Sequence, residues 1–386
     1  MSLLGYIKKI AAKRMMKVDA LFAYPVDKQI EFLRKFPEPK DDLERSYFQY
    51  RCQIQRIPRL DSWIQNLGSI PLLVLYWLKI PRLEKEKTEE YTDLLFFQNG
   101  ISDSILPDSI AKSGRKLVSC NYEDALLLTK EDRVFLKKVW KRYPFDFYFL
   151  LKIMIKVAVY SAQIDAYHPK EFVVSSEYSF TSSILTRYVE DRGIVHTNVM
   201  HGEKLFTISD AFIRFSRFIV WDEHYIKLFC SLRANESQFQ IEIPPALKFK
   251  IKASNKRYFL KYYLSDESKD DLIKIAELLK KLEEQGKIVA VRPHPRFSDM
   301  NLIEQIFRGI EIENNTVSIE KSILSCEHVA ALFSTVLNQA YFNGVKVVID
   351  DYSNPEKYEK LKRMNYLMMS KEHTLLSDIK IEDKGK

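Results

Sequence analysis

A chain of 386 residues is longer than a single hydrophobic core usually supports, so two domains are expected. Hydrophobic residues at 46% and charged residues at 29% exclude a disordered, collagen-like or disulfide-rich chain. The formal charge of +8 calls for an anionic partner, and without a zinc-finger or RNA-recognition signature that partner is not nucleic acid. The basic runs are interleaved with large apolar side chains, a pattern that favours a membrane surface. Cys52, Cys120, Cys230 and Cys326 are far apart and lack zinc-ligand spacing, and the N-terminal stretch lacks the apolar region and cleavage site of a secretion signal. Both features predict a cytoplasmic protein.

At the N-terminus Leu4, Ile7, Ala11, Met15, Val18 and Phe22 recur at helical spacing, with Lys8, Lys9, Lys13, Arg14 and Lys17 on the rest of the wheel. A basic amphipathic helix of this kind lies in a lipid interface or packs on its own domain. Residues 70–83 are strongly apolar but too short to span a bilayer. Residues 135–160 alternate lysines with aromatic and aliphatic side chains. Each of these two stretches reads as a buried helix or a membrane-surface segment.

From about residue 172 the pattern changes to alternating strand and helix. Strands are expected at 172–174, 195–200, 215–221, 258–264, 288–291, 329–333 and 345–349. Helices are expected at 181–192, 222–232, 266–285, 300–307 and 335–342, with Gly193, Gly286 and Gly344 as terminators. Residues 238–251, broken by Pro244 and Pro245, read as the interdomain linker. The expected fold class is therefore α/β, with an acceptor-side domain over 1–245 and a nucleotide-binding domain over 246–386.

Ligands of open parallel sheets bind beyond the carboxyl ends of the strands, which singles out three polar clusters. Arg292, His294 and Arg296 project from a turn stiffened by Pro293 and Pro295, an arrangement suited to phosphate. Ser334 and Thr335 stand between a strand and a helix, where they cap the helix, meet an anion, or do both. His201 ends a strand of the first domain and is the candidate general base, with Glu203 or Glu177 to orient it or to replace it. Gly202 would let a ligand approach the backbone closely. No Walker A, GxSxG, HExxH or GxGxxG motif is present, and Asp350–Asp351 reads as structural or donor-adjacent, so no metal site is expected.

The PHPR run at 293–296 and the FSTVL run at 333–337 resemble the bacterial CMP-sugar transferases, specifically the lipooligosaccharide sialyltransferases and polysialyltransferases. That resemblance implies a GT-B fold, two Rossmann-like domains facing a central cleft, with His294, Pro295, Ser334 and Thr335 at the donor nucleotide. It implies metal-independent transfer of sialic acid or a related nonulosonate from a CMP-sugar to a surface glycan or glycolipid, with inversion; the basic apolar stretches place that activity at the inner face of the plasma membrane. No cofactor beyond the co-substrate is implied. The families' acidic pair before a glycine is replaced here by Met200-His201-Gly202. A His-Gly pair followed by RPHP also resembles the capsule Kdo transferases and the CDP-polyol phosphotransferases of teichoic-acid and capsule synthesis. A non-catalytic capsule assembly subunit is the remaining alternative.

Overall fold

The computed structural model describes residues 23–79, 92–98, 101–120, 127–250 and 256–379. The N-terminal amphipathic helix, Leu4 to Phe22, lies outside the described residues, as do residues 80–83 of the second apolar stretch. The described chain divides into two compact units. The N-terminal unit comprises residues 26–201 and 206–244, and the C-terminal unit comprises 23–25, 202–205 and 245–379. Each is a parallel six-stranded sheet with helices on it, the α/β architecture expected from the alternating pattern.

The N-terminal unit opens with helices α1 (Val26–Leu33), α2 (Asp42–Ile54), α3 (Arg59–Gly68) and α4 (Ile70–Leu78). Its strands are β1 (Leu94–Phe97), β2 (Leu117–Cys120), β3 (Glu171–Val174), β4 (Val195–Val199), β5 (Arg217–Val220) and β6 (Phe239–Ile241). They lie in the order β2-β1-β3-β4-β5-β6. A short α5 (Asp108–Ala111) precedes β2, and α6 (Lys130–Arg142) and α7 (Phe147–Tyr167) precede β3. Helix α8 (Ser182–Glu190) follows β3, and α9 (Glu223–Ser231) follows β5. Thr129 and Asp132 form a reciprocal capping box that starts α6, satisfying amides that a helix start leaves unpaired.

Residues 135–160, read as one stretch, are two helices broken at residues 143–146, where Pro144 stands. Among the described residues, α7 alone is long and apolar enough to cross a membrane, and 67% of its apolar window is buried inside the unit. Its apolar character is therefore that of a core helix. The stretch read as a linker contains β6, an edge strand pairing in parallel with β5.

The C-terminal unit contains β7 (Tyr258–Tyr263), β8 (Val289–Arg292), β9 (Glu311–Ile312), β10 (Cys326–Ala331), β11 (Lys346–Ile349) and β12 (Thr374–Leu375). Its helices are α10 (Lys269–Glu284), α11 (Met300–Ile306), α12 (Ile319–Leu324), α13 (Thr335–Phe342) and α14 (Pro355–Arg363). The Ser268/Asp271 capping box begins α10, and Gly286, at φ 80°, closes its C-terminal end in a conformation that costs glycine nothing. Leu272, Ile275 and Leu279 of α10 pack on Leu260, Val289, Val291 and Ala330 of the sheet, so the helix stripe and the strand faces meet in one core. The order β12-β11-β10-β7-β8-β9 places β10 beside β7, although they are not consecutive. The chain leaves β7 in one direction across the sheet and returns from β10 in the other, which opens a crevice beyond their carboxyl ends.

A candidate nucleotide pocket and a histidine–glutamate pair

The crevice of the C-terminal unit is a pocket of about 370 Å³. Ser265, Asp266 and Glu267 line it from the loop after β7, His294 and Phe297 from the turn after β8, and residues 332–336 from the end of β10 and the start of α13. His294, Ser334 and Thr335, far apart in sequence, are thus brought together. Their meeting place follows from strand order, because β8, β7 and β10 are adjacent.

The His294 ring is held in a defined state. The backbone N–H of Arg296 donates to His294 Nδ1 at 3.1 Å; an amide can only donate, so Nδ1 is unprotonated and Nε2 carries the hydrogen. The His294 N–H donates to Ser298 Oγ at 2.9 Å, and that hydroxyl donates to the Ser265 carbonyl at 3.1 Å, tying the turn to the end of β7. Phe297 stacks on the ring with centroids 4.4 Å apart. Burial, reinforced by the Arg296 charge and opposed by Asp266, lowers the pKa of His294. The ring is a neutral hydrogen-bond donor.

Arg292 is not a member of this pocket. It belongs to β8, where alternation sends Val289 and Val291 into the α10 core and turns Arg292 the other way. Its guanidinium donates to Glu313 at 2.7 Å and to the Val317 carbonyl at 2.8 Å. Glu313 also accepts from Lys261 at 2.5 Å and from the Ser322 hydroxyl, so Arg292 is consumed by a buried ionic cluster. Desolvation alone would raise the Glu313 pKa, but the bonds from Lys261, Ser322 and Arg292 together hold it below the usual value. Pro295 and Arg296 are exposed on the turn and contribute no lining to the pocket; Arg296 acts on His294 through its backbone amide and its charge.

Ser334 is the N-cap of α13, its hydroxyl oxygen accepting from the Val336 N–H at 3.2 Å. Its O–H remains able to donate, and Thr335 begins the helix beside it. Glu203, expected in the first domain, is grouped with the C-terminal unit because the chain crosses at Gly202 and returns at Phe206. Its carboxylate accepts from Asn338 of α13 and from the Lys204 N–H at 3.2 Å, and it lines the pocket with His294. A second carboxylate there, Glu267, accepts from the Ser265 N–H at 2.6 Å. Part of Glu267 reaches the surface, yet protein surrounds its carboxyl closely enough that desolvation pushes it up to about 7.

His201 and Glu177 form a separate pair in the N-terminal unit. Glu177 follows β3 and His201 follows β4, adjacent parallel strands, so the same rule that assembles the pocket assembles this pair. His201 Nδ1 lies 2.9 Å from Glu177 Oε1. The other Glu177 oxygen accepts from Asn198 Nδ2 at 3.2 Å, and Asn198 Oδ1 accepts the Ser176 N–H at 2.7 Å. The carboxylate is fully buried while a quarter of the His201 side chain is exposed, which is the arrangement of a ring oriented from behind. Beside Gly202 a Cβ would meet nothing within 4 Å, and its φ lies outside the left-handed region. Neither backbone nor packing requires glycine there.

Among the described residues, no group of three or more His, Cys, Asp or Glu side chains is placed to hold a metal ion. Asp350 is buried and saturated, accepting from the Tyr352 and Ser353 amides at 2.9 and 2.8 Å and from the Tyr262 hydroxyl at 2.5 Å. Asp351 accepts from Ser377, so both members of the pair are structural.

Sequence reasoning passed over Ser265, Asp266, Glu267, Phe297 and Lys357, all of which line the pocket. The first three follow a predicted strand, and the positional rule applied to the other clusters would have found them. Lys357 is 3.4 Å from Asp266 across 91 residues, a pairing with no local signal.

No protein-family model matches the sequence, and no curated protein matches it. Among solved structures, a protein described as a UDP-N-acetylglucosamine 2-epimerase from Listeria monocytogenes is similar over 68% of this chain and 79% of that one, at 11% identity and a TM-score of 0.44. The glycotransferase of kitacinnamycin is similar over 76% and 88%, at 10% identity and a TM-score of 0.42. The wall teichoic acid polymerase TagF is similar over 82% and 86%, at 12% identity and a TM-score of 0.43.

Proposed function

We propose that the chain is a glycosyltransferase of GT-B type that transfers a sugar, a sialic acid or related nonulosonate, from a CMP-sugar to a surface glycan or glycolipid without a metal. The observation that carries this reading is the pocket at the β7/β10 crossover, where a neutral histidine with its hydrogen on Nε2 meets a capped helix start. Hydrogen-bond donors lining one pocket suit a phosphate, and the open amide at the start of α13 adds to them. The resemblance of PHPR and FSTVL to the CMP-sugar transferases supports the choice of nucleotide.

In the proposed reaction an acceptor hydroxyl attacks the anomeric carbon and the bond to the CMP oxygen breaks, its electron pair leaving on the phosphate. His294, the Ser334 hydroxyl and the Thr335 amide that opens α13 stabilise that phosphate. The hydroxyl proton passes to His201, and Glu177 behind the ring stabilises the imidazolium. Glu203, bonded to Asn338, is assigned to the donor side and not to the base. Inversion at the anomeric carbon follows from a single displacement.

The test supplies CMP-linked sugars and CDP-linked polyols in parallel with membrane glycans as acceptor, and separates the nucleotide products. Release of CMP with glycan extension from the sugar donor supports the proposal. CMP release from the CDP-polyol alone would establish polyol-phosphate transfer instead, and no release from either donor would leave a binding protein.

A further inference from the structure

Helix α3 is amphipathic in the opposite sense to an ordinary surface helix. Leu60, Trp63, Ile64 and Leu67 fall on one stripe, 72%, 68%, 61% and 51% exposed, and no residue of the helix is buried. The polar residues Asp61, Ser62, Gln65 and Asn66 are the less exposed set. Asn66 faces the protein, donating to the Phe145 carbonyl at 2.9 Å and accepting the Tyr148 N–H at 3.0 Å. A helix whose outer face met only water would be rotated the other way.

The apolar surface continues onto neighbouring elements of the same unit. On α4, Val74, Leu75 and Leu78 are exposed, and Phe145 is exposed at the α6–α7 turn that Asn66 grips. Helix α6 joins α4 through Trp77 and Trp140, with centroids 5.8 Å apart, and through Arg133, which lies over the Trp77 ring and donates to the Lys79 carbonyl. Single exposed leucines are ordinary on any surface, whereas a run of them across adjoining elements marks an interface. The cations Arg59, Lys79, Lys137 and Lys141 are exposed on these same helices and at their ends.

We infer that this face docks on an anionic phospholipid bilayer, with α3 and α4 lying in the interface plane. Apolar side chains enter the acyl boundary, the indoles of Trp63 and Trp140 sit at headgroup level, and the cations meet lipid phosphates. Charge selects this occupant over a second copy of the chain, since a two-fold contact through one patch would bring like cations together. The docking face requires no part of the nucleotide pocket, so failure here and failure of the transferase reading are separate events.

The experiment compares the full chain with a variant carrying Leu60→Gln, Trp63→Gln, Ile64→Gln and Leu67→Gln. Both are co-sedimented with phosphatidylcholine vesicles and with vesicles containing phosphatidylglycerol. Because the four positions are exposed, the variant folds, as circular dichroism and an unchanged melting temperature will confirm. The wild type is expected to partition onto the anionic vesicles, and the variant to lose roughly tenfold or more of that partitioning. A Lys137→Gln, Lys141→Gln variant is expected to lose affinity for anionic vesicles only. Equal binding by the wild type and the quadruple variant would overturn the inference and move attachment elsewhere in the chain. A wild type that ignores vesicles but self-associates through this face would overturn it in favour of a protein interface.

Discussion

Replacing Glu267 with glutamine removes a pocket carboxyl whose pKa burial pushes up to about 7. Its rise from the ordinary 4.5 to about 7 is equivalent to about 3 kcal/mol, which the surface-exposed part of the residue screens to roughly 2 kcal/mol. The folded-state pKa is raised, so the associated stability is intact below 4.5 and is lost as pH rises through about 7. Glutamine has no such dependence. Urea unfolding of both proteins at about pH 5 and about pH 8 should therefore show the variant gaining roughly 2 kcal/mol on the wild type between the two conditions. The same charge opposes a nucleotide phosphate, so nucleotide affinity of the wild type should fall across this window and that of Glu267→Gln should change less. A stability difference that does not vary with pH would refute the reasoning.

Lys261→Met, which strips Glu313 of one buried partner while Arg292 remains, should cost about 3–5 kcal/mol, measured by chemical denaturation. Since the Glu313 pKa is lowered, the stability contributed by its cluster should be present above the ordinary carboxylate range and fade on acidification. His201→Gln and Glu177→Gln should each lower turnover by about 10²–10⁴-fold while leaving nucleotide binding unchanged, checked by steady-state kinetics beside calorimetry. Gly202→Ala should leave the melting temperature unchanged, because its Cβ would meet nothing; if a substrate approaches that backbone, KM for donor or acceptor should rise.

The C-terminal unit was legible where its inner strands are buried and read as apolar runs ended by glycine or capping residues, whereas the two-residue edge strands β9 and β12 have no buried residue and leave no such run. The predicted 258–264 overshoots β7 by one residue, and the predicted 288–291 is β8 shifted back by one residue. His294, Ser334 and Thr335 line one pocket, as position after parallel strands leads one to expect, since residues there converge wherever those strands are neighbours. Arg292 was misread because the last residue of a strand still obeys alternation: it points across the sheet to Glu313, a partner 21 residues away. Glu203 was given to the wrong unit because the crossing at Gly202 is a tertiary event that leaves no trace in local pattern. In the first third of the chain, β1 is four residues of LLFF, too short to separate from a helical run. The stripe on α3 has normal helical spacing; which side faces the protein is decided by Asn66 and its partners.

The most direct measurement is thermal unfolding of the wild type and of His294→Ala with CMP, CDP, UDP and no nucleotide. A ligand that binds only the folded chain adds about 2.7 kcal/mol of stability at a concentration 100 times its Kd. The expected result is a clear rise in melting temperature with the cytidine nucleotides for the wild type, and little or none for His294→Ala. No response to any nucleotide, or an equal response from both proteins, would contradict a phosphate site built on His294.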